Sequence, residues 1–127
     1  MTSAAAAGRR ARRRGRRGER IAARWLRARG YRVLARNVQS VGREVDLVVE
    51  SPDGRQVVLV EVKSSLDPVA VLARRIDPRQ LRRLESVARS MHAGSLVRRR
   101  PTRVDVMLVH IGSCWRHHVR HLRGESS

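Results

Sequence analysis

The chain has no phenylalanine, one tyrosine and two tryptophans among 127 residues, so an extended platform for stacking unpaired bases is not built into it. One cysteine, Cys114, cannot form an internal disulfide, and no Cys/His spacing of a zinc site occurs. No run of about 18 apolar residues is present, so no membrane-spanning helix is expected. The basic N-terminus lacks the apolar stretch that follows in a secretory signal. These absences fit a reducing cytoplasm with no membrane partner. Acids are scarce as well: 11 Asp and Glu stand against 29 Lys and Arg, a net charge of +18. Such an excess suits an anionic polymer, nucleic acid before all others. Lysine is nearly missing too. Lys63 is the only one, in a chain that otherwise uses arginine for every positive charge.

Residues 1–18 hold Ala, Gly and seven arginines without an acid, leaving +11 for residues 19–127. Low hydrophobicity and high charge predict a disordered tail adding phosphate contacts, followed by one domain over 19–127. Glu19 to Arg29 carries Ile21, Ala22, Trp25 and Leu26 on a helical repeat, with Gly30 as its stop. Glu19 borders that apolar face, where an acid in a first helical turn is also favoured by the helix dipole. Tyr31 to Ala35 reads as a strand.

Arg43–Glu50 and Gln56–Lys63, both rich in Val and Leu around Ser51-Pro52-Asp53-Gly54, read as an antiparallel hairpin. Alternation places Glu44, Asp46, Val48 and Glu50 on one face and Val45, Leu47 and Val49 on the other. In the second strand Val57, Leu59, Glu61 and Lys63 oppose Val58, Val60 and Val62. If Asp53-Gly54 is the loop, paired residue numbers sum to 107, so Asp46 faces Glu61 and Glu44 faces Lys63; a four-residue Ser51–Gly54 loop shifts the pairing by two and leaves them diagonal neighbours on the same face. Two carboxylates so close repel each other, which a divalent cation with oxygen ligands relieves. Lys63 beside them offers a compact ammonium that the planar guanidinium of arginine does not imitate. Glu44 is left to pair with Lys63 or to assist at the metal.

Ser64 to Arg75 reads as a loop around the apolar Val69–Leu72. Asp77-Pro78-x-Gln80 has the form of a helix start, with Leu81, Leu84, Val87, Ala88 and Met91 buried and Gly94 at the end. Arg79, Arg82 and Arg83 lie off that stripe, and Arg98, Arg99 and Arg100 form a basic loop. With Arg43 they are the candidate phosphate contacts. A last strand is expected over Val104–Ile111, with Asp105 as a structural hydrogen-bonding group. The tail with His117, His118 and His121 reads as a short basic strand or frayed end. The order is α-β-β-β-α-β, an α/β fold with a mixed central sheet and flanking helices.

Asp46 followed by Glu61-Val62-Lys63 is similar to the core of the PD-(D/E)XK nuclease superfamily. More closely, the chain resembles the YraN-like family of small bacterial proteins, which are akin to Holliday-junction resolvases in predicted fold. The matching pieces are Gly15-x-x-Gly18-Glu19-x-x-Ala22, Gly30-Tyr31-x-Val33-Leu34-x-x-Asn37, Glu44-Val45-Asp46-Leu47, Val60-Glu61-Val62-Lys63 and Asp105-Val106. The resemblance implies a restriction-endonuclease-like core and an endonuclease using Mg²⁺ or Mn²⁺ on DNA. It also implies metal ligation by Asp46, Glu61 and the Val62 carbonyl, with Glu19 and Lys63 completing the catalytic set. Arg43, Ser65 and Gln80 depart from the residues usual in the family, which bears on how nucleic acid is held. Composition leaves two other readings open: a non-catalytic nucleic-acid-binding module, and a basic assembly protein of an RNA-rich particle.

Overall fold

A computed structural model describes residues 3–113 and 116–125; Cys114 and Trp115 lie outside the described residues. Along the chain run α1 (Ser3–Ala28), β1 (Arg32–Ser40), β2 (Arg43–Glu50), β3 (Val57–Ser65), α2 (Val69–Arg74), α3 (Pro78–Ser90), β4 (Thr102–Ile111) and β5 (His117–Leu122). The strands form one sheet in the order β1-β2-β3-β4-β5, antiparallel throughout except for the parallel pair β3/β4. The parallel pair needs a long crossover, and α2 and α3 supply it. This is the expected mixed sheet with flanking helices.

Helix α1 covers one face of the sheet. Ala22, Ala23 and Leu26 are buried there against Leu47, Val49, Val58, Val60, Met107 and Val109. On the opposite face α3 buries Leu84, Val87 and Ala88 against Val45, Val48, Val57 and Leu59, and α2 buries Leu72 against Val106 and Leu108. Two helical layers thus sandwich the sheet. Among the described residues, no helix is long and apolar enough to cross a membrane.

Two departures concern helices. Residues 3–18 are helical rather than a disordered tail, because Ala and Arg are both good helix formers and the packed half of α1 already provides the nucleus. The expected loop after β3 contains α2, whose Val69 and Leu72 join the apolar patch beside β4. Gly30, with φ +91°, stops α1 as anticipated: its N–H donates to the Arg27 carbonyl and that of Tyr31 to the Leu26 carbonyl. Gly18 serves the packing. A side chain there would collide with Ser64 of β3, whose hydroxyl donates to the Arg14 carbonyl at 3.2 Å. Its absence brings the helix, and Glu19 with it, down onto the sheet.

Of the two hairpin registers considered, the one summing to 107 is present: Leu47 pairs with Val60 and Glu50 with Val57. The alternation expected on β2 is interrupted. Val45 packs toward α3 while Leu47 packs toward α1, so β2 changes face at Asp46. Across from it Asn37 adopts the left-handed region at φ +50°, and the ladder passes from Val38/Val45 to Arg36/Leu47 without pairing Asn37 with Asp46. Strict alternation holds only while every backbone group bonds to its strand neighbour. At this point a side chain takes over.

Candidate metal and nucleic-acid site

That side chain is Asp46. One of its carboxylate oxygens accepts the Val62 N–H at 2.7 Å, so it stands in the gap that opens between β2 and β3 beyond the Leu47/Val60 pair. Burial there pushes its pKa up to about 7; the Val62 N–H opposes the shift, and the charges of Glu61, Glu19 and Glu44 add to it. Oxygens of Glu19, Glu44 and Asp46 lie within 4.8 Å of one another. Asn37 ties two of them together: its amide nitrogen donates to Glu44 at 2.8 Å and to Glu19 at 3.1 Å. Gln39 adds a longer bond to Glu44 at 3.4 Å.

Glu61 and Lys63 point to the α3 side instead. Gln80 bridges them, donating to Glu61 at 3.0 Å and accepting from the Lys63 ammonium at 3.1 Å. Burial raises the Glu61 pKa, with Lys63 and Arg43 working against it and Glu19 and Glu44 with it. The face change at Asp46 therefore replaces the expected pairing of Asp46 with Glu61 and of Glu44 with Lys63. Glu19, Glu44 and Asp46 form one cluster. Glu61, Lys63 and Gln80 form a second, within electrostatic reach of it.

The donor set suits a hard divalent cation. The oxygens of three carboxylates lie close together, and for one of them, Asp46, burial first and the neighbouring acids second raise the pKa to about 7. The polar hydrogens of Asn37 already occupy the space between two of the acids, where positive charge is wanted. Magnesium and manganese both accept such oxygen ligands.

The arginine candidates separate. Arg79, Arg82 and Arg83 are exposed on α3, next to Gln80. Arg43 is half-buried, its Nε has no hydrogen-bond partner, and its charge acts on Glu61. Arg98 and Arg99 are exposed in left-handed turns. Arg100 turns inward, donating to Glu50 at 2.7 Å and to the carbonyls of Gly54, Leu96 and Val97. It holds the turn end of the hairpin, which is the end away from the acids, and its guanidinium is committed to that structure.

Two residues named in the sequence motifs turn out to have contacts at the site that the sequence reading did not assign. Asn37 lay beyond the expected strand Tyr31–Ala35, and asparagine, which tolerates positive φ better than most residues, is a signal for an interrupted strand. Gln80 looked like the second half of a capping box. Asp77 does cap α3, accepting the Arg79 N–H at 2.9 Å, but Gln80 reaches across to β3.

Comparison with other proteins places this geometry in a family. The sequence model of the uncharacterised protein family UPF0102 matches residues 18–109, which span both acidic groups and Lys63. A UPF0102 protein of Rhizorhabdus wittichii is 43% identical over 99 residues, 78% of this chain and 81% of its own length. One from Mycobacterium sp. (strain KMS) is 37% identical over 108 residues, 84% and 80% of the two chains. One from Thermotoga maritima is 38% identical over 91 residues, 72% and 81%.

Proposed function

For this chain, which belongs to the UPF0102 (YraN-like) family, we propose metal-dependent hydrolysis of DNA phosphodiester bonds, branched or otherwise structured DNA included, on a restriction-endonuclease-like core. The observation that carries the reading is the convergence of Glu19, Glu44 and Asp46 within 4.8 Å at the point where two strands part. Beside them stand the chain's only lysine and an arginine-rich surface.

Asp46, with Glu19 and Glu44, would hold the cation, and Glu61 and the Val62 carbonyl would complete the set that the family resemblance implies. When bound, magnesium or manganese would supply Lewis-acid polarisation of the scissile phosphate and a lowered pKa of water. The chain's own residues do the rest. Gln80 fixes Lys63 and Glu61 relative to each other, so the ammonium is aimed before substrate arrives. Lys63 stabilises negative charge developing on the phosphoryl oxygens and orients the attacking water. Asn37 keeps Glu19 and Glu44 together, and the arginines supply phosphate contacts that position the strand without reading sequence.

The test is a panel of linear, nicked and branched DNA and RNA substrates incubated with Mg²⁺ or Mn²⁺. Cleavage is expected for wild type and absent for Asp46→Asn. Lys63→Arg keeps the charge but loses an aimed donor, so single-turnover cleavage should slow by about a hundred- to a thousandfold while binding changes little. Wild-type rates in Lys63→Arg overturn the role of Lys63. Tight, metal-independent binding with no cleavage anywhere turns the reading to a non-catalytic module. The same outcome with preference for RNA turns it to an RNA-associated assembly protein.

A further inference from the structure

The outer face of α1 is a stripe of arginine. At about 100° per residue, Arg13, Arg16, Arg17, Arg20, Arg24 and Arg27 fall within a sector about 100° wide. Ala22 and Leu26 lie on the far side of the helix, buried in the core. Arg13, Arg16, Arg20, Arg24 and Arg27 are exposed, and among the described residues no salt bridge joins them to an acid. Glu19, the one acid of the helix, is turned toward the sheet and held by Asn37. The stripe lines shallow grooves on the surface, and Arg36 of β1 adds to one of them.

We infer that this stripe is the docking face for a B-form DNA duplex, engaged through its phosphate backbone. From Arg13 to Arg27 the helix rises about 21 Å, which matches about six base-pair steps along one strand. A membrane surface is the other large anion, but a helix that lies on lipid needs an exposed apolar face, and here the apolar face of α1 is consumed by the core. Among the described residues the aromatics are engaged within the protein, which favours backbone contact over base stacking. Tyr31 is buried, and Trp25 packs edge-on to His121 with the Arg29 guanidinium 3.4 Å over its ring centre. An α-helix of about 10–12 Å diameter fits the major groove of B-DNA, about 12 Å wide, whereas the deep, narrow major groove of A-form RNA excludes it. The stripe also differs from α3, where the acid Glu85 is exposed beside the arginines. The inference rests on the reading that the partner is DNA and names the face that holds it; it does not require cleavage.

The test is equilibrium binding without divalent metal, across a salt titration, to a DNA duplex, an RNA duplex of the same sequence and anionic vesicles. Each lost phosphate contact lowers the log–log salt slope by about 0.9, so Arg20→Gln/Arg24→Gln/Arg27→Gln should lower it by about 2 to 3 on DNA. The equally charged Arg79→Gln/Arg82→Gln/Arg83→Gln variant should lower it by less than about 1. The single reversal Arg24→Glu gives the same direction should the triple variant melt early. An unchanged slope in the α1 variant overturns the inference, as does an equal loss in the α3 variant. Tighter wild-type binding to the RNA duplex or to the vesicles overturns it too. Because no metal is present, an inactive protein leaves this result intact, and an unchanged slope leaves the cleavage reading intact.

Discussion

Asp46 and Asp105 are two half- to fully buried aspartates on strands of one sheet, and their surroundings drive them in opposite directions. Burial pushes both toward the acid form. Asp105 then collects donors: Arg103 gives two hydrogen bonds at 2.8 and 3.0 Å, the Gly124 N–H gives one at 2.9 Å, and His121 contacts it at 2.6 Å. Together these outweigh desolvation and hold its pKa below the usual carboxylate range. Arg103 in turn donates to the Tyr31 hydroxyl and to Gln56, so the network closes on itself. Asp46 receives a single backbone N–H and three negative neighbours, and it rises to about 7. Desolvation does not distinguish a structural carboxylate from a functional one; the supply of donors does. A buried acid left short of donors, among other acids, has room for a cation.

The sharpest way to break this comparison is substitution. Asp105→Asn leaves the Arg103 guanidinium buried without a countercharge and should destabilise the fold by about 3–5 kcal/mol in chemical denaturation. Asp46→Asn, which removes a repelled charge while keeping an acceptor for the Val62 N–H, should be near neutral or stabilising without metal. Equal losses in the two variants would erase the distinction.

Metal should act on one aspartate only. Mn²⁺ at about a hundred times its dissociation constant stabilises by about 2.7 kcal/mol through mass action, read as a rise in melting temperature. Asp46→Asn with Glu19→Gln should abolish that rise. Glu61→Gln should reduce it less, since Glu61 lies outside the tight cluster. A full metal-induced rise in the double variant would move the site elsewhere.

The smallest effect, and the most diagnostic in sign, is with pH. The folded-state pKa of Asp46 lies above its ordinary 3.8, so its contribution to metal-free stability is complete below that value and lost as pH rises toward about 7. For Asp105 the folded pKa lies below 3.8, so its contribution is present above that value and lost as pH falls below it. Between about pH 4 and 7 the decline therefore comes from Asp46, with Glu61 adding to it in the same direction. Metal-free wild type should lose a few degrees of melting temperature from mildly acidic to mildly basic buffer, and Asp46→Asn should lose less. Identical profiles would refute the assigned shift.

Much of this was legible in the residues. Asp77-Pro78 marked the start of α3 and Gly30 the end of α1, because caps and stops are local chemistry. The hairpin register matches the one a two-residue Asp53-Gly54 loop predicts, although the chain reverses through a Ser51–Gly54 turn centred on Pro52-Asp53. Asp46, Glu61 and Lys63 stood out because acids and a lone lysine are costly among apolar neighbours, whereas Glu19 was marked out by the family resemblance. Only the tertiary structure decided how they group. The face change at Asp46 depends on Asn37 taking a left-handed turn on the neighbouring strand and on Val62 giving its N–H to a side chain, events on three strands at once. The commitment of Gln80 to Lys63 depends on where α3 lands after a crossover, and that of Arg100 to Glu50 on a loop 50 residues away. Periodicity reports the forces on one element; which charges meet is set by packing between elements that are far apart in sequence.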